Sequence, residues 1–284
     1  MKNNNAAIIV LYNPDLGRLD DNINAVINQV KYLFLVDNCS KNDILSKVKK
    51  KYSEFNNIFL FCLDKNYGIA HALNVGLRAC IELGCEWLLT LDQDSVVPNN
   101  LIDAYSLYTK YDKVAIISCA INYNGLEIVK SDKPFDYVPE CISSASYLNV
   151  AVAKLLGGMD ESMFIDRVDF EFCFRAIDHG YKILRVNNVL LNHELGNLKL
   201  YSFGTKKIHV GNHSSMRKFY MAQNSVYLYR KHKDQYPMGK MIGSELKLLF
   251  KTVCFEGNRI DKVKSILNGI CSGIRLPISK DNWI

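Results

Sequence analysis

Four short apolar runs, residues 6–11, 32–36, 58–63 and 87–91, each break off into polar residues, and the stretches between them carry apolar side chains at helical spacing. Short apolar runs alternating with segments of period near 3.6 describe βα units on a mainly parallel sheet. The helical stretches are 19–30, 43–55 and 69–83. The first run leads into Tyr12-Asn13-Pro14 and the second into Asp37-Asn38. The third leads into Asp64-Lys65-Asn66-Tyr67-Gly68, and the fourth into Asp92-Gln93-Asp94. Ligands of an open α/β sheet bind in the crevice outside the carboxyl ends of its strands. The four polar exits therefore converge on one site.

The second half is more mixed. Residues 115–120, 146–150 and 182–186 read as strands, and 168–179 as a helix stopped by Gly180, a suitable C-cap residue. From about residue 214 the pattern is helical and basic, punctuated by Gly239, Gly243 and Gly257. Residues 216–284 carry 13 Lys+Arg against 5 Asp+Glu, a charge of +8, whereas the remainder carries −2. We therefore expect a catalytic domain over 1–215 and a basic helical extension over 216–284. Such an extension could meet anionic lipid or a diphosphate, or simply be a set of solvated helix faces. No helix-turn-helix or finger pattern accompanies the basic residues, which argues against nucleic acid as a partner.

Nine cysteines occur without a Cys-x-x-Cys pair. Cys62, Cys119 and Cys173 fall in apolar runs and read as buried free thiols, which implies a reducing, cytoplasmic compartment. No basic segment followed by an apolar one suggests a secretory signal, and the longest apolar runs fall short of a bilayer span.

Two carboxylates spaced i, i+2 just past a strand end can splay around one cation. Oxygen ligands select hard ions such as Mg²⁺ or Mn²⁺, which take few carboxylates and fill the rest of the shell with substrate phosphates. Asp92 and Asp94 fit a metal site of this kind for a nucleotide diphosphate. The competing reading is an acidic turn before Pro98.

Tyr12-Asn13-Pro14, Val36-Asp37-Asn38-Cys39-Ser40, the run Asn66-x-Gly68-x-Ala70-x-Ala72-x-Asn74-x-Gly76, and Leu91-Asp92-Gln93-Asp94-Ser95 resemble the inverting family-2 glycosyltransferases of GT-A fold. The stretch Phe164-Ile165-Asp166-x-Val168-Asp169-x-Glu171-x-x-x-Arg175, ending in Gly180-Tyr181, resembles their rhamnosyltransferase branch, as does His193-x-x-Gly196. The resemblance covers roughly residues 6–230, with its motifs in family order, and leaves the C-terminal fifty or so residues uncovered.

The resemblance implies an α/β, mostly parallel open sheet flanked by helices, and a nucleotide-sugar donor, dTDP-rhamnose or a UDP-sugar. It assigns Asp37 to the pyrimidine imide, and Tyr12, Asn13, Asn66, Gly68 and Asn74 to the donor-binding segment. Asp94 matches the principal metal ligand, Asp92 the metal, the ribose or both, and His193 a further ligand to Mn²⁺ or Mg²⁺. An inverting transfer needs a base for the acceptor hydroxyl. Counting back from Arg175, the family's base falls on Asp169, although Val168 replaces the usual preceding glutamate; Asp166 and Glu171 stand as competitors. Arg217, in His213-Ser214-Ser215-x-Arg217-x-x-Tyr220-x-x-x-Asn224, is a candidate partner for the donor diphosphate. Gln223 replaces the family's usual arginine before the asparagine.

The expected activity is transfer of a sugar, L-rhamnose from dTDP-L-rhamnose, to a glycan acceptor. A lipid-linked polysaccharide precursor at the inner face of the cell membrane would suit the basic tail. A galactofuranosyl- or other hexosyltransferase using a UDP-sugar is the alternative within the class. Outside it stand a nucleotidyltransferase, which would want a glycine-rich loop where Tyr12-Asn13-Pro14-Asp15-Leu16-Gly17 stands, a glycoside hydrolase, which needs two opposed carboxylates, and a non-catalytic nucleotide- or glycan-binding module.

Overall fold

A computed structural model describes residues 4–122, 131–192, 199–203 and 206–279. Along the chain run β1 (Asn5–Leu11), α1 (Leu16–Val26), β2 (Tyr32–Asp37), α2 (Asn42–Tyr52), β3 (Ile58–Cys62), α3 (Ile69–Glu82), β4 (Trp87–Leu91) and α4 (Leu101–Ser106). There follow β5 (Val114–Asn122), β6 (Phe135–Tyr137), β7 (Ser146–Asn149), α5 (Val150–Leu155), α6 (Val168–Asp178) and β8 (Lys182–Asn192). The described chain closes with β9 (Lys199–Phe203), β10 (Lys206–Val210), α7 (Ser215–Lys231), α8 (Met238–Phe255) and α9 (Arg259–Arg275).

Every residue of β1 is buried, as befits a strand covered on both faces. It lies between β2 and β4 and is parallel to both. The eight-stranded sheet has the order β3-β2-β1-β4-β7-β5-β8-β6, and β9 and β10 pair separately. Alternate residues of β1 serve different layers. Ala7, Ile9 and Leu11 pack with Leu19 and Ile23 of α1, whereas Ala6, Ile8 and Val10 pack with Leu73 and Leu77 of α3. The arrangement is a helix–sheet–helix sandwich, as the alternating runs predict.

The departures from expectation have local causes. Helix α1 starts at Leu16, not residue 19, because Asp15 caps it by accepting the Arg18 backbone N–H at 3.0 Å. Strand β8 runs to Asn192, past the expected end at residue 186; a register shift interrupts its pairing with β5 there. The interruption carries Asn187, whose side chain donates to the Lys133 carbonyl at 3.0 Å and to Asp136 at 2.9 Å. Cys62, expected to be buried, is exposed, because β3 is an edge strand and the residue ends it. Cys119 and Cys173 are buried, and all nine cysteines are free thiols. Strand β7 is antiparallel to both β4 and β5, so the parallel half ends at β4.

Helix α7 begins at Ser215, and its Tyr227 packs into the core cluster that holds α3 and α6. Beyond it, α9 lies against α7 at very short range. A Cβ on Gly269 would stand 2.3 Å from the Phe219 carbonyl oxygen, and one on Gly273 2.5 Å from that of Gln223. Within α6, Glu171 is fully buried and meets the Arg175 guanidinium with both carboxylate oxygens, at 3.0 and 2.7 Å. The same carboxylate accepts Lys231 of α7 at 2.9 Å and meets His232 at 3.2 Å. Lys231 also reaches Asp160 at 2.9 Å, and Arg175 donates to the carbonyls of Leu156 and Gly158.

Gly273→Ala is expected to lower the melting temperature, because backbone on α7 must move to admit the methyl group. We expect the steric cost, about 1–3 kcal/mol, to exceed the ~1 kcal/mol of helix propensity alanine adds, for a net loss of up to about 2 kcal/mol. Thermal unfolding followed by circular dichroism checks it.

Candidate active site

The polar exits of the parallel strands are stitched to one another by their own side chains. Asp37, buried at the end of β2, accepts the Ser40 backbone N–H at 3.0 Å. The Ser40 hydroxyl accepts the N–H of Asn13 at 2.8 Å, and the Asn13 side-chain oxygen accepts that of Lys41 at 2.9 Å. Tyr12 keeps its ring 51% exposed while its N–H donates to the Gln93 side chain at 2.9 Å. Asn38, a residue the sequence reading assigned no role, holds the 66–68 turn. Its oxygen accepts the Tyr67 N–H at 2.9 Å, and its amide donates to the Asn66 side chain at 2.9 Å and to the Gly68 carbonyl at 3.2 Å.

Two expected donor contacts turn out to face protein. Gly68 has φ +90°, and a Cβ there would lie 2.4 Å from the Phe164 carbonyl oxygen. The close approach that demands glycine is to the 164–167 turn. Asn74 is fully buried, its oxygen accepting the Met159 N–H at 2.7 Å and its amide donating to Met159 and Glu161 at 2.9 and 2.8 Å. Its polar capacity is spent on the 157–163 turn.

The carboxylates gather where β4 and α6 meet. Asp92 is anchored through its carbonyl, which accepts the Asn22 amide at 2.7 Å, and its carboxylate is 3.5 Å from the Ser143 hydroxyl. The backbone N–H of that same Ser143 donates to Asp169 at 3.0 Å. Ser143 thus joins the two aspartates, a role invisible in the sequence because it depends on a main-chain donor that every residue but proline has. Asp169 opens α6, and its second oxygen accepts the Phe170 N–H at 2.9 Å. It is half-buried at the crevice wall. Burial pushes its carboxyl up to about 7, aided by the nearby charges of Asp92 and Asp166 and opposed by the two backbone N–H donors. Asp94, on the outer side of the turn, is 39% exposed and stands 3.8 Å from Arg18.

The competitors for the base position are engaged elsewhere. Burial opposes ionisation of Glu171, yet Arg175, His232 and Lys231 together hold its carboxyl far below the usual range, as a fixed counter-ion. Asp166 receives the Arg217 guanidinium in three contacts, at 3.3, 3.1 and 2.9 Å. Arg217, expected near a diphosphate, here clamps the 164–167 turn. Asn224 supports the same turn by donating to the carbonyls of Ile165 and Asp166 at 2.7 and 2.9 Å. Asp166 and Arg167 both have positive φ, 68° and 64°. Such conformations in non-glycine residues persist where surrounding contacts hold them, and they gather at functional sites. Asn13, Cys39 and Ala145, in neighbouring loops, share the feature.

Among the described residues no three His, Cys, Asp or Glu side chains gather as a metal site. Asp92 and Asp94 put two carboxylates on the turn that follows β4. Such hard oxygen donors fit a divalent cation that completes its shell with phosphate and water. His193 lies outside the described residues; β8 ends at Asn192, immediately before it.

Comparison with known proteins agrees with this architecture. The sequence model of the family described as "Glycosyl transferase family 2" matches residues 6–145. A protein of Shigella flexneri described as "dTDP-rhamnosyl transferase RfbF" is 30% identical, over 97% of each chain. The mannosyltransferase PcManGT of Pyrobaculum calidifontis, solved with GDP-Man and Mn²⁺, superposes with a TM-score of 0.60 at 14% identity, covering 98% of this chain and 76% of that one. TarS of S. aureus (residues 1–349, with UDP-GlcNAc) gives 0.56 at 14% identity, covering 97% and 81%. The two structures share the fold with this chain.

Asp169→Asn should stabilise the ligand-free protein in a pH-dependent manner. A carboxyl raised in the folded state costs nothing below its unfolded pKa near 4. The cost grows between about pH 4 and 7 and is complete above 7. The variant should therefore match the parent at pH 4 and exceed it at pH 8 by roughly 1–2 kcal/mol, with partial solvent exposure discounted. Denaturant unfolding at the two pH values measures it.

Proposed function

The chain belongs to glycosyl transferase family 2, and from that premise we propose that it transfers L-rhamnose from dTDP-L-rhamnose to a glycan acceptor with inversion. The observation that carries the reading is the Ser143 bridge, which sets the strand-end carboxylate Asp92 beside the half-buried Asp169 in one crevice. The similarity to a protein described as a dTDP-rhamnosyl transferase, over nearly the whole of both chains, supports the choice of donor.

Asp37 accepts the imide N–H of the thymine, a task suited to a carboxylate already oriented by the Ser40 backbone. Tyr12, Asn13 and Asn66 line the donor side, and Asp92 also meets the ribose. Asp92 and Asp94 would hold a divalent cation, Mn²⁺ or Mg²⁺, and the family resemblance would add His193 as a further ligand. When bound, the ion would supply Lewis-acid neutralisation of the charge on the departing nucleoside diphosphate. Asp169 takes the proton of the acceptor hydroxyl as its oxygen bonds to the anomeric carbon, while the bond from that carbon to the dTDP oxygen breaks. A carboxylate whose conjugate acid sits near 7 is a stronger base than an ordinary aspartate, and burial provides that. Arg217 acts at one remove, by holding Asp166 and the turn before the base. For the acceptor we favour a lipid-linked polysaccharide precursor on the inner leaflet, on the strength of the basic side chains that stay exposed on the C-terminal helices, Lys240, Lys247, Lys264 and Arg275.

Nucleotide released from a panel of sugar nucleotides in the presence of Mn²⁺ tests the donor. Turnover should be highest with dTDP-L-rhamnose; turnover with UDP-galactofuranose and none with dTDP-rhamnose would reverse the assignment. Asp169→Asn should lower kcat by about 10²–10⁴ while calorimetric binding of dTDP with Mn²⁺ is unchanged. Unchanged transfer would remove Asp169 as the base.

A further inference from the structure

Helices α8 and α9 leave a broad apolar face uncovered. On α8, successive residues step by about 100°. Ile242, Leu246 and Val253 then share an arc opposite or beside the buried line of Glu245, Leu248 and Thr252. They are 46%, 62% and 48% exposed. On α9, Ile260, Leu267 and Ile274 repeat at intervals of seven, on one stripe, and are 51–72% exposed. Solvated helices of a globular domain carry charged and polar residues in such places. Neither arc bears an acidic side chain, for the acidic residues of these helices are Glu245, which is buried, and Asp261, which falls on another side of α9.

Between the two helices runs a groove of about 310 Å³, with Val226 and Tyr229 of α7 among its lining residues. Glu245 lines it too and is 7% exposed. Burial pushes that carboxyl up to about 7, against the opposing pull of the Ser225 hydroxyl and Arg167. Apart from Glu245 and Arg230, whose guanidinium is turned to the Gly273 and Leu276 carbonyls, the walls of the groove are apolar or aromatic and suit hydrocarbon better than water.

The margins are cationic. Lys247 follows the apolar arc of α8, and Lys264 and Arg275 follow that of α9; all three are exposed. Lys240, beside Lys247 on the helix surface, is 48% exposed and makes a long contact of 3.4 Å with Glu140. We propose that α8 and α9 form a docking face that seats the protein on an anionic membrane surface, with the apolar arcs at the acyl boundary and the lysines among the headgroups. An amphipathic helix with basic margins lies in a bilayer interface in this manner. A second copy of the chain is a poorer occupant, since two-fold pairing would set the same basic margins against each other. On the opposite side of α8, the Ser244 hydroxyl accepts Arg167 at 2.7 Å, two residues before Asp169. The face is thus fastened to the turn that carries the base. The proposal deepens the reading of a lipid-linked acceptor and rests on it for its purpose, not for its geometry.

Co-sedimentation of the full chain with phosphatidylcholine vesicles, with and without phosphatidylglycerol, tests it, alongside hydrolysis of dTDP-rhamnose without vesicles and light scattering. We expect binding that needs phosphatidylglycerol and falls on the order of tenfold or more in Leu246→Glu/Leu267→Glu and in Lys247→Glu/Lys264→Glu. Soluble hydrolysis should be unchanged in both. Wild-type protein that ignores anionic vesicles, or variants that bind as well as the parent, would overturn it. So would a dimer that the leucine variant splits with vesicle binding unchanged, which would assign the face to a second copy. Vesicle binding with no hydrolysis of dTDP-rhamnose would sink the donor reading and leave the docking face standing.

Discussion

Glu171 is a carboxylate with no solvent exposure, and the crevice takes its shape from the groups that neutralise it. Arg175 grips it within α6, Lys231 reaches it from α7, and His232 approaches from the residue after that helix. Lys231 and Arg175 carry the connection on to Asp160 and to the carbonyls of Leu156 and Gly158. Replacing such a cluster by apolar residues can be neutral for stability, but removing one member leaves a buried charge uncompensated, at about 3–5 kcal/mol. The cluster therefore specifies geometry more than it adds stability. It fixes the direction of α6 and, two residues before Glu171, the position of Asp169.

The strands of the parallel half were legible because full burial leaves an unmistakable apolar run, and their exits because charge there needs a reason. Asp37, Asp92 and Asp94 stood out on that ground, whereas Asp169, at a helix start, was placed only by the family resemblance. Strand β6 and the β9–β10 hairpin escaped, being short and without a clean alternation. Asn74 shows a different limit. A polar residue in an apolar helix can be recognised as purposeful, yet its sequence does not say whether its amide faces a ligand or another part of the chain. Gly68 is the same case, its missing side chain making room for Phe164. Ser143 and Asn38 were missed because serines and asparagines in loops are ordinary, and what distinguishes these two is whom they touch.

The charge asymmetry also reads differently in three dimensions. Much of the positive excess in the C-terminal quarter points inward. Lys218 and Lys262 share the buried Glu256, at 2.6 and 2.9 Å, and Arg230 donates to the carbonyls of Gly273 and Leu276. These cations fasten α7, α8 and α9 into one unit. What remains outside is a smaller set of lysines and arginines, and their placement beside apolar arcs matters more than the net charge.

Strand β7 has a consequence for how the molecule is made. It enters the sheet between β4 and β5, antiparallel to both, although it follows them in the chain. While the protein is being synthesised, β3, β2, β1 and β4 can assemble as soon as residue 91 has emerged. Their sheet then ends in a bare β4, apolar but for Thr90, until residues 146–149 arrive to cover it. An unpaired apolar edge is a template for pairing with another chain. During that interval the nascent chain is at its most vulnerable to misassociation, and an organism making it in quantity would have reason to keep a chaperone near the ribosome exit.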